Sequence, residues 1–198
     1  IENGMARPED IKPFAHTIRK QALRLVSLAE DIIQLSQLEE NDGEILFEEV
    51  NLTELASDCV HSLQINAQSR TVDLHLAAPE APIYIKGNKS LLEELLYNLC
   101  DNAIKYNTEG GRVEVEVAQD GGTAAVTVRD TGIGIPPEHQ SRVFERFYRA
   151  DGSRTQGGFG LGLSIAQAIV REHQGTIRCE SDARSTRFIV TLPLGGRK

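Results

Sequence analysis

Aromatic side chains are scarce in this sequence: Phe, Trp and Tyr make up 5% of 198 residues, and tryptophan is absent. Long apolar runs are missing too. No stretch approaches the ~20 consecutive apolar residues of a membrane helix, so neither a spanning helix nor a secretory leader is expected within these residues. The chain starts at Ile1, as a fragment separated from a membrane part would. Positive charge is short. A net charge of −8 and the lack of a basic stripe argue against a nucleic-acid surface. Cys59, Cys100 and Cys179 are odd in number and widely spaced within apolar patterns, so they read as reduced core residues rather than a disulfide framework. Internal repeats and low-complexity tracts do not occur. The G-x-x-x-x-G-K-[ST] phosphate loop is absent, and no strand leads directly into the glycines at Gly158–Gly162, which excludes the dinucleotide fingerprint.

The length accommodates one ordinary domain plus a helical appendage. From Pro8 to about Glu40 the pattern predicts one long helix. Ile11, Ala15, Ile18, Ala22, Leu25, Ala29 and Ile32 recur in alternating steps of four and three, a coiled-coil seam. Phe14, Val26, Ile33 and Leu35 widen the apolar face toward that of a bundle, whereas Glu30, Glu39 and Glu40 read as solvated. Such a helix cannot bury its stripe alone, so a partner helix is expected. Asn41-Asp42-Gly43 stops it.

A second helix is expected over Val50–Gln68, capped by Asn51 or Thr53. Alternation predicts strands near Val72–Leu76, Ile83–Lys86, Arg112–Ala118, Ala124–Arg129, Thr176–Glu180 and Phe188–Leu192, with a hairpin turn at Gly121-Gly122. Further helices are expected at Lys89–Tyr106, Glu138–Phe147 and Gly160–His173. The result is an α+β fold, a mixed sheet with helices on one face.

Two segments carry the chemistry. On a helical wheel of Lys89–Tyr106, Leu91, Leu92, Leu95, Leu96, Leu99 and Ala103 share one arc, opposite Glu93, Glu94, Tyr97 and Asp101. Asn102 falls inside the apolar arc, and Asn98 and Lys105 lie at its edge. A buried amide costs free energy unless hydrogen-bonded, and a backbone carbonyl satisfies that need as well as a ligand does. Two asparagines at i and i+4, followed by a lysine, favour a ligand-facing row. Amide oxygens bind Mg²⁺ or its waters, and lysine meets phosphate.

The second segment opens D-T-G-I-G-I-P at Asp130 and closes G-G-F-G-L-G-L-S-I at Ile165. Asp130 ends a strand ahead of Gly132 and Gly134, where the backbone lets a flat ligand approach. D-x-G also occurs in plain turns. In a ligand site, however, the carboxylate would accept a hydrogen bond from an exocyclic amine and so distinguish adenine from guanine. Phe144 and Phe147 are expected to anchor the following loop in the core. Arg149 and Arg154 read as loop cations. Gly158, Gly160 and Gly162 clear the start of a helix whose free N–H groups suit phosphate.

The order N-L-C-D-N-A-I-K-Y, D-T-G-I-G-I-P, F-E-R-F-Y-R, G-G-F-G-L-G-L-S-I resembles the N, G1, F and G2 boxes of bacterial sensor histidine kinases. Their ATP-binding fold, the Bergerat fold shared with gyrase, Hsp90 and MutL, is a two-layer α/β sandwich. The resemblance implies that residues 1–43 are the second helix of a dimerisation and phosphotransfer hairpin and that 44–198 form the catalytic domain. It implies that Asn102 binds Mg²⁺ with help from Asn98, that Lys105 and Arg149 meet phosphates, and that Tyr106 flanks the nucleotide. Asn98, Lys105 and Arg149 take the catalytic roles. Asp130 reads the adenine amine, and Gly132, Ile133, Gly134, Ile135, Tyr148, Gly158, Gly160, Leu161, Gly162 and Thr186 complete the pocket. Pro136–Gly160 would be the ATP lid. The implied cofactors are ATP and Mg²⁺, and the implied partners are a response regulator receiver domain and a second copy through the hairpin. The implied location is the soluble cytoplasmic part of a membrane-anchored sensor.

Three departures stand out. The phosphoacceptor signature S-H-E-[LI]-[RK]-T-P is absent, and His16, in A-H-T-I-R, reads as a surface residue, so the acceptor is expected upstream. The stretch Asp151–Gly158 is shorter than in many relatives. S-D-A-R-S-T-R-F lacks the usual G-x-G. Rival readings are an ATPase of the gyrase type, which carries a glutamate where this chain has Asn98, an anti-sigma-type serine kinase, and a non-catalytic ATP-binding scaffold.

Overall fold

The computed structural model describes residues 8–40, 45–150 and 158–195. Helix α1 spans Pro8–Glu40. A short strand β1 (Glu48–Asn51) leads into α2 (Leu52–Ser69), and then come β2 (Asp73–Ala77), β3 (Tyr84–Gly87) and α3 (Lys89–Lys105). The chain continues through β4 (Arg112–Asp120), β5 (Thr123–Asp130), α4 (Pro137–Gln140), α5 (Gly162–Glu172), β6 (Thr176–Ser181) and β7 (Thr186–Pro193).

Five strands form a mixed sheet in the order β2-β4-β5-β7-β6, with β2 parallel to β4 and the other pairings antiparallel. Strands β1 and β3 pair separately. Period-two alternation puts Val113, Val115, Val117, Ala124, Val126, Val128, Phe188, Val190 and Leu192 on one buried face. Against it lie Leu92, Leu95, Leu96, Leu99 and Ala103 of α3, with Leu55 and Leu63 of α2 and Ile165 and Ile169 of α5. The opposite face carries charge, as in the Arg178–Glu180 ion pair at 3.3 Å, so the sheet is covered on one side only. This is the expected α+β sandwich.

Side-chain caps set two helix starts. Asn51 Oδ1 accepts the Glu54 N–H (3.2 Å), and Asn88 Oδ1 accepts the Leu91 N–H (3.0 Å). Of the two caps expected for α2, Asn51 serves. The helix begins two residues later than expected because Val50 and Asn51 are paired in β1 with Ile85 and Tyr84.

Two expectations need correction. Glu138–Phe147 is helical only at its start. The N–H groups of His139, Arg142, Glu145 and Tyr148 each bond the carbonyl three residues back, and the Phe147 N–H turns away to Gly160 O (3.0 Å). Phe147 takes φ +60°, which ends any helix there. Phe147 is 58% exposed, whereas Phe144 packs edge-on against Phe188. Phe144 anchors the loop, and Phe147 does not.

The stripe that α1 docks is not the seam read from the sequence. Leu28, Leu35 and Leu38 join the domain core, and α1 packs on α5. Gln34 donates to the Glu94 carboxylate of α3, which is half-buried beneath α1. Ile11, Ile18, Leu25 and Ile32 remain exposed, along with Phe14, Val26 and Ile33. The helix stop at residues 41–43 and the boundary at 43/44 lie outside the described residues, as does Arg154.

Candidate nucleotide-binding site

The site forms where the C-terminal half of α3 meets the β5–α4 loop and the start of α5. Asn98, Asn102 and Lys105 are half-buried along one side of α3. Gly162, the first residue of α5, faces them: a Cβ placed there would sit 3.0 Å from Asn98 Oδ1 and 3.8 Å from Asn102 Nδ2. Hydrogen at that position keeps the space beside the two amides open. No side chain caps α5, and its cap residue is Leu161. The positive end of the helix dipole therefore lies beside the asparagine row. The Leu161 side chain itself is buried in the core, so only its backbone borders the site.

Two cations converge on Gly158. Arg149 Nη1 donates to its carbonyl (3.0 Å), and a Cβ on Gly158 would lie 2.7 Å from Lys105 Nζ. Lys105 Nζ also stands 5.0 Å from the centroid of the Tyr106 ring. Gly160 adopts φ +76° beneath Tyr148 O, which lets the second glycine run fold back on the F-E-R-F-Y-R segment. Tyr148 is held apart from the asparagine row. Its hydroxyl bonds His139 Nδ1, and the Arg142 guanidinium lies 4.2 Å above its ring.

At the far end of the α3 row stands Asp130. Strand alternation continues through Ala124, Val126 and Val128 to Asp130, so the carboxylate occupies a core-facing position at 5% exposure. Register sets it opposite Thr186, itself buried. The Gly132 N–H donates to Asp130 Oδ1 at 2.9 Å. Burial pushes the Asp130 carboxyl up to about 6, against the opposing pull of the Gly132 and Thr186 N–H groups. Gly132 is pressed against Tyr106 O, which accepts the Ile133 N–H at 3.2 Å. Ile133 is half-exposed beside this opening.

From Asn98 to Tyr106 the helix rises ~12 Å, at ~1.5 Å per residue. One end offers amide oxygens, cations and an uncapped helix start, and the other offers a buried acceptor behind glycines. Among the described residues no group of three or more His, Cys, Asp and Glu could hold a metal ion alone. The donor set fits Mg²⁺ brought in by phosphates, since this ion keeps its waters and takes few protein ligands.

Residues 87–196 match the histidine kinase-, DNA gyrase B- and HSP90-like ATPase family. The chain belongs to that family. Within it, the likeness is to bacterial sensor histidine kinases. The chain is 39% identical over 188 residues to the sensor histidine kinase RppB of Synechocystis sp., covering 93% of this chain and 41% of RppB. The solved mycobacterial sensor histidine kinase MprB aligns with 77% of this chain and 100% of its own at 30% identity and a TM-score of 0.67. For the fold alone, full-length ShkA covers 99% of this chain and 41% of its own at 24% identity and a TM-score of 0.83. The chain spans less than half the length of the curated relatives it matches.

In this member of the family, Asn98, Asn102, Lys105, Arg149, Gly158 and Gly162 come together, and Tyr106, Asp130, Gly132, Ile133 and Thr186 form the other end. Sequence reasoning missed Gln140 and Ser181, which hold the loop between them. Gln140 was hidden in a segment expected to be helical. Ser181 opens the turn lacking G-x-G, and that departure was the available signal. Glu94, the carboxylate one turn before Asn98, is engaged with Gln34 of α1.

Proposed function

We propose that this chain binds Mg-ATP and serves as the catalytic part of a two-component sensor kinase. In this reading it passes the γ-phosphoryl group to a histidine outside the chain, and from there the group goes to an aspartate of a response regulator. The observation that carries the reading is the convergence on Gly158 and Gly162 of two cations and two amides at an uncapped helix start, with a buried carboxylate at the other end of α3. Asp130 accepts the adenine amine. Lys105, Arg149 and the first N–H groups of α5 hold the phosphates, and Asn98 and Asn102 offer amide oxygens to the ion. Mg²⁺, when bound, neutralises phosphate charge. The chain's own contribution is positioning and charge complementarity, the main demands of phosphoryl transfer.

A water-activating ATPase is disfavoured. Asn98 is an amide and cannot take the proton of an attacking water. Glu94 is turned to α1 by Gln34. His16 is exposed on α1, without the acceptor context. The exposed stripe of α1 fits pairing with a further hairpin helix, in this copy or another.

Calorimetric titration of ATP into the chain, with and without Mg²⁺, tests the proposal. Saturable binding that strengthens with Mg²⁺ is expected, and Asn102→Asp should shift that Mg²⁺ dependence. An absence of binding would overturn the kinase reading.

A further inference from the structure

The turn between β6 and β7 borders the glycine loop and is tied to it by several hydrogen bonds. Ser181 Oγ accepts the Ile135 N–H at 2.8 Å and lies 2.7 Å from Ser185 O and 2.9 Å from Thr186 Oγ1. Gln140 Nε2 donates to both Ile135 O and Ser181 O, each at 2.8 Å. Both backbone polar groups of Ile135 are therefore tied to this corner. One residue earlier, Gly134 takes φ +67° with its backbone against Asp182 O: a Cβ there would lie 1.9 Å from that oxygen. The other end of the loop is pinned by the Gly132 N–H on Asp130 and the Ile133 N–H on Tyr106 O. Ser181 thus touches both neighbours of the buried carboxylate. It holds the far end of the glycine loop, and it bonds the side chain of Thr186, whose N–H also faces Asp130.

We propose that Ser181, clamped by Gln140, is a positioning residue. It fixes the Gly132–Ile135 loop against the Asp130–Thr186 pair and thereby sets the preference of the site for a purine with an amine rather than a carbonyl at C6. The inference rests on the nucleotide reading above. Removing the hydroxyl frees the Ile135 N–H and loosens Thr186. The loop then no longer fixes Asp130 at the distance an amine requires, while the phosphate end on α3 and α5 is untouched. A buried polar network of this kind works as a unit, so loss of one member is felt at the others.

The test compares ATP with inosine triphosphate, which carries a carbonyl in place of the amine, in calorimetric titrations with Mg²⁺. Wild type should favour ATP. Ser181→Ala should lower the ATP-to-ITP affinity ratio about three- to tenfold, the range set by one buried hydrogen bond. Ser181→Thr, which keeps the hydroxyl, should restore the ratio. Melting temperatures without nucleotide separate positioning from folding. If Ser181→Ala does not fold, Gln140→Met, which removes only the two donated bonds, is read the same way. Equal weakening of ATP and ITP, or an unchanged ratio, overturns the proposal and leaves the nucleotide reading standing. No ATP binding by wild type overturns both.

Discussion

Asp130 makes ATP affinity and apo stability depend on pH in opposite ways, and both can be worked from its burial. With its carboxyl pushed up to about 6, the group is ~90% ionised at pH 7 and ~10% at pH 5. If the ionised form accepts the adenine amine, lowering the pH from 7 to 5 should weaken ATP binding about tenfold, or ~1.4 kcal/mol, through this group alone. Stability runs the other way. The folded-state value lies above that of the unfolded chain, near 3.8, so folding favours the protonated form. The ionisation cost is absent below pH ~4, grows between ~4 and ~6, and reaches ~3 kcal/mol above that. Asp130→Asn escapes this cost but turns an N–H toward Thr186, giving back ~1 kcal/mol. The variant should be ~2 kcal/mol more stable than wild type at pH 7 without nucleotide, yet bind ATP worse and lose more affinity for ATP than for GTP. The assay is calorimetric ATP titration of both proteins at pH 7 and pH 5, with urea denaturation alongside. The nucleotide's own phosphates titrate in both proteins, so the ratio of ratios isolates Asp130. Equal pH losses in the two proteins, or an Asn variant that binds ATP as tightly as wild type, would refute the reasoning.

Other perturbations separate site from scaffold. Gly162→Ala should gain up to ~1 kcal/mol of helix propensity while weakening ATP binding at least about tenfold, because its Cβ would crowd Asn98; thermal melts and titrations together check the split. Leu99→Ala, at a fully buried position on the core face of α3, should cost ~2–5 kcal/mol in urea denaturation. His173 is buried, with Nε2 accepting the Asn88 N–H and Nδ1 donating to Ile169 O, and burial lowers its pKa. The fold therefore favours the neutral ring. Its contribution is complete above the ordinary histidine range and is lost as pH falls below it, so His173→Gln should flatten stability between pH ~7 and ~5.

Much of this protein could be read in the sequence because its signals are local. Alternation in V-E-V-E-V and in the T-A-A-V-T-V-R-D strand marked β4 and β5 within a residue or two, and Gly121-Gly122 marked their turn. The apolar arc of α3 is the one that packs on the sheet. The asparagines and glycines stood out because polar amides on a buried arc, and glycines at this density, are costly without a purpose. The segment after Pro136 departs from the expected helix because its N–H groups close three-residue turns, and the last of them, at Phe147, bonds Gly160 far along the chain.

Tertiary structure alone decided the rest. Nothing local says which side of α1 the domain takes; the core takes the side carrying Leu28, Leu35 and Leu38, where Gln34 also meets Glu94. Pairing of β5 with β7 set Thr186 beside Asp130, and close packing of α5 on α3 brought Gly162 to the asparagines. Periodicity reports how each segment faces water, and that is a property of the segment. A site is a set of distances between segments far apart in the chain, and those distances exist only once the core has packed.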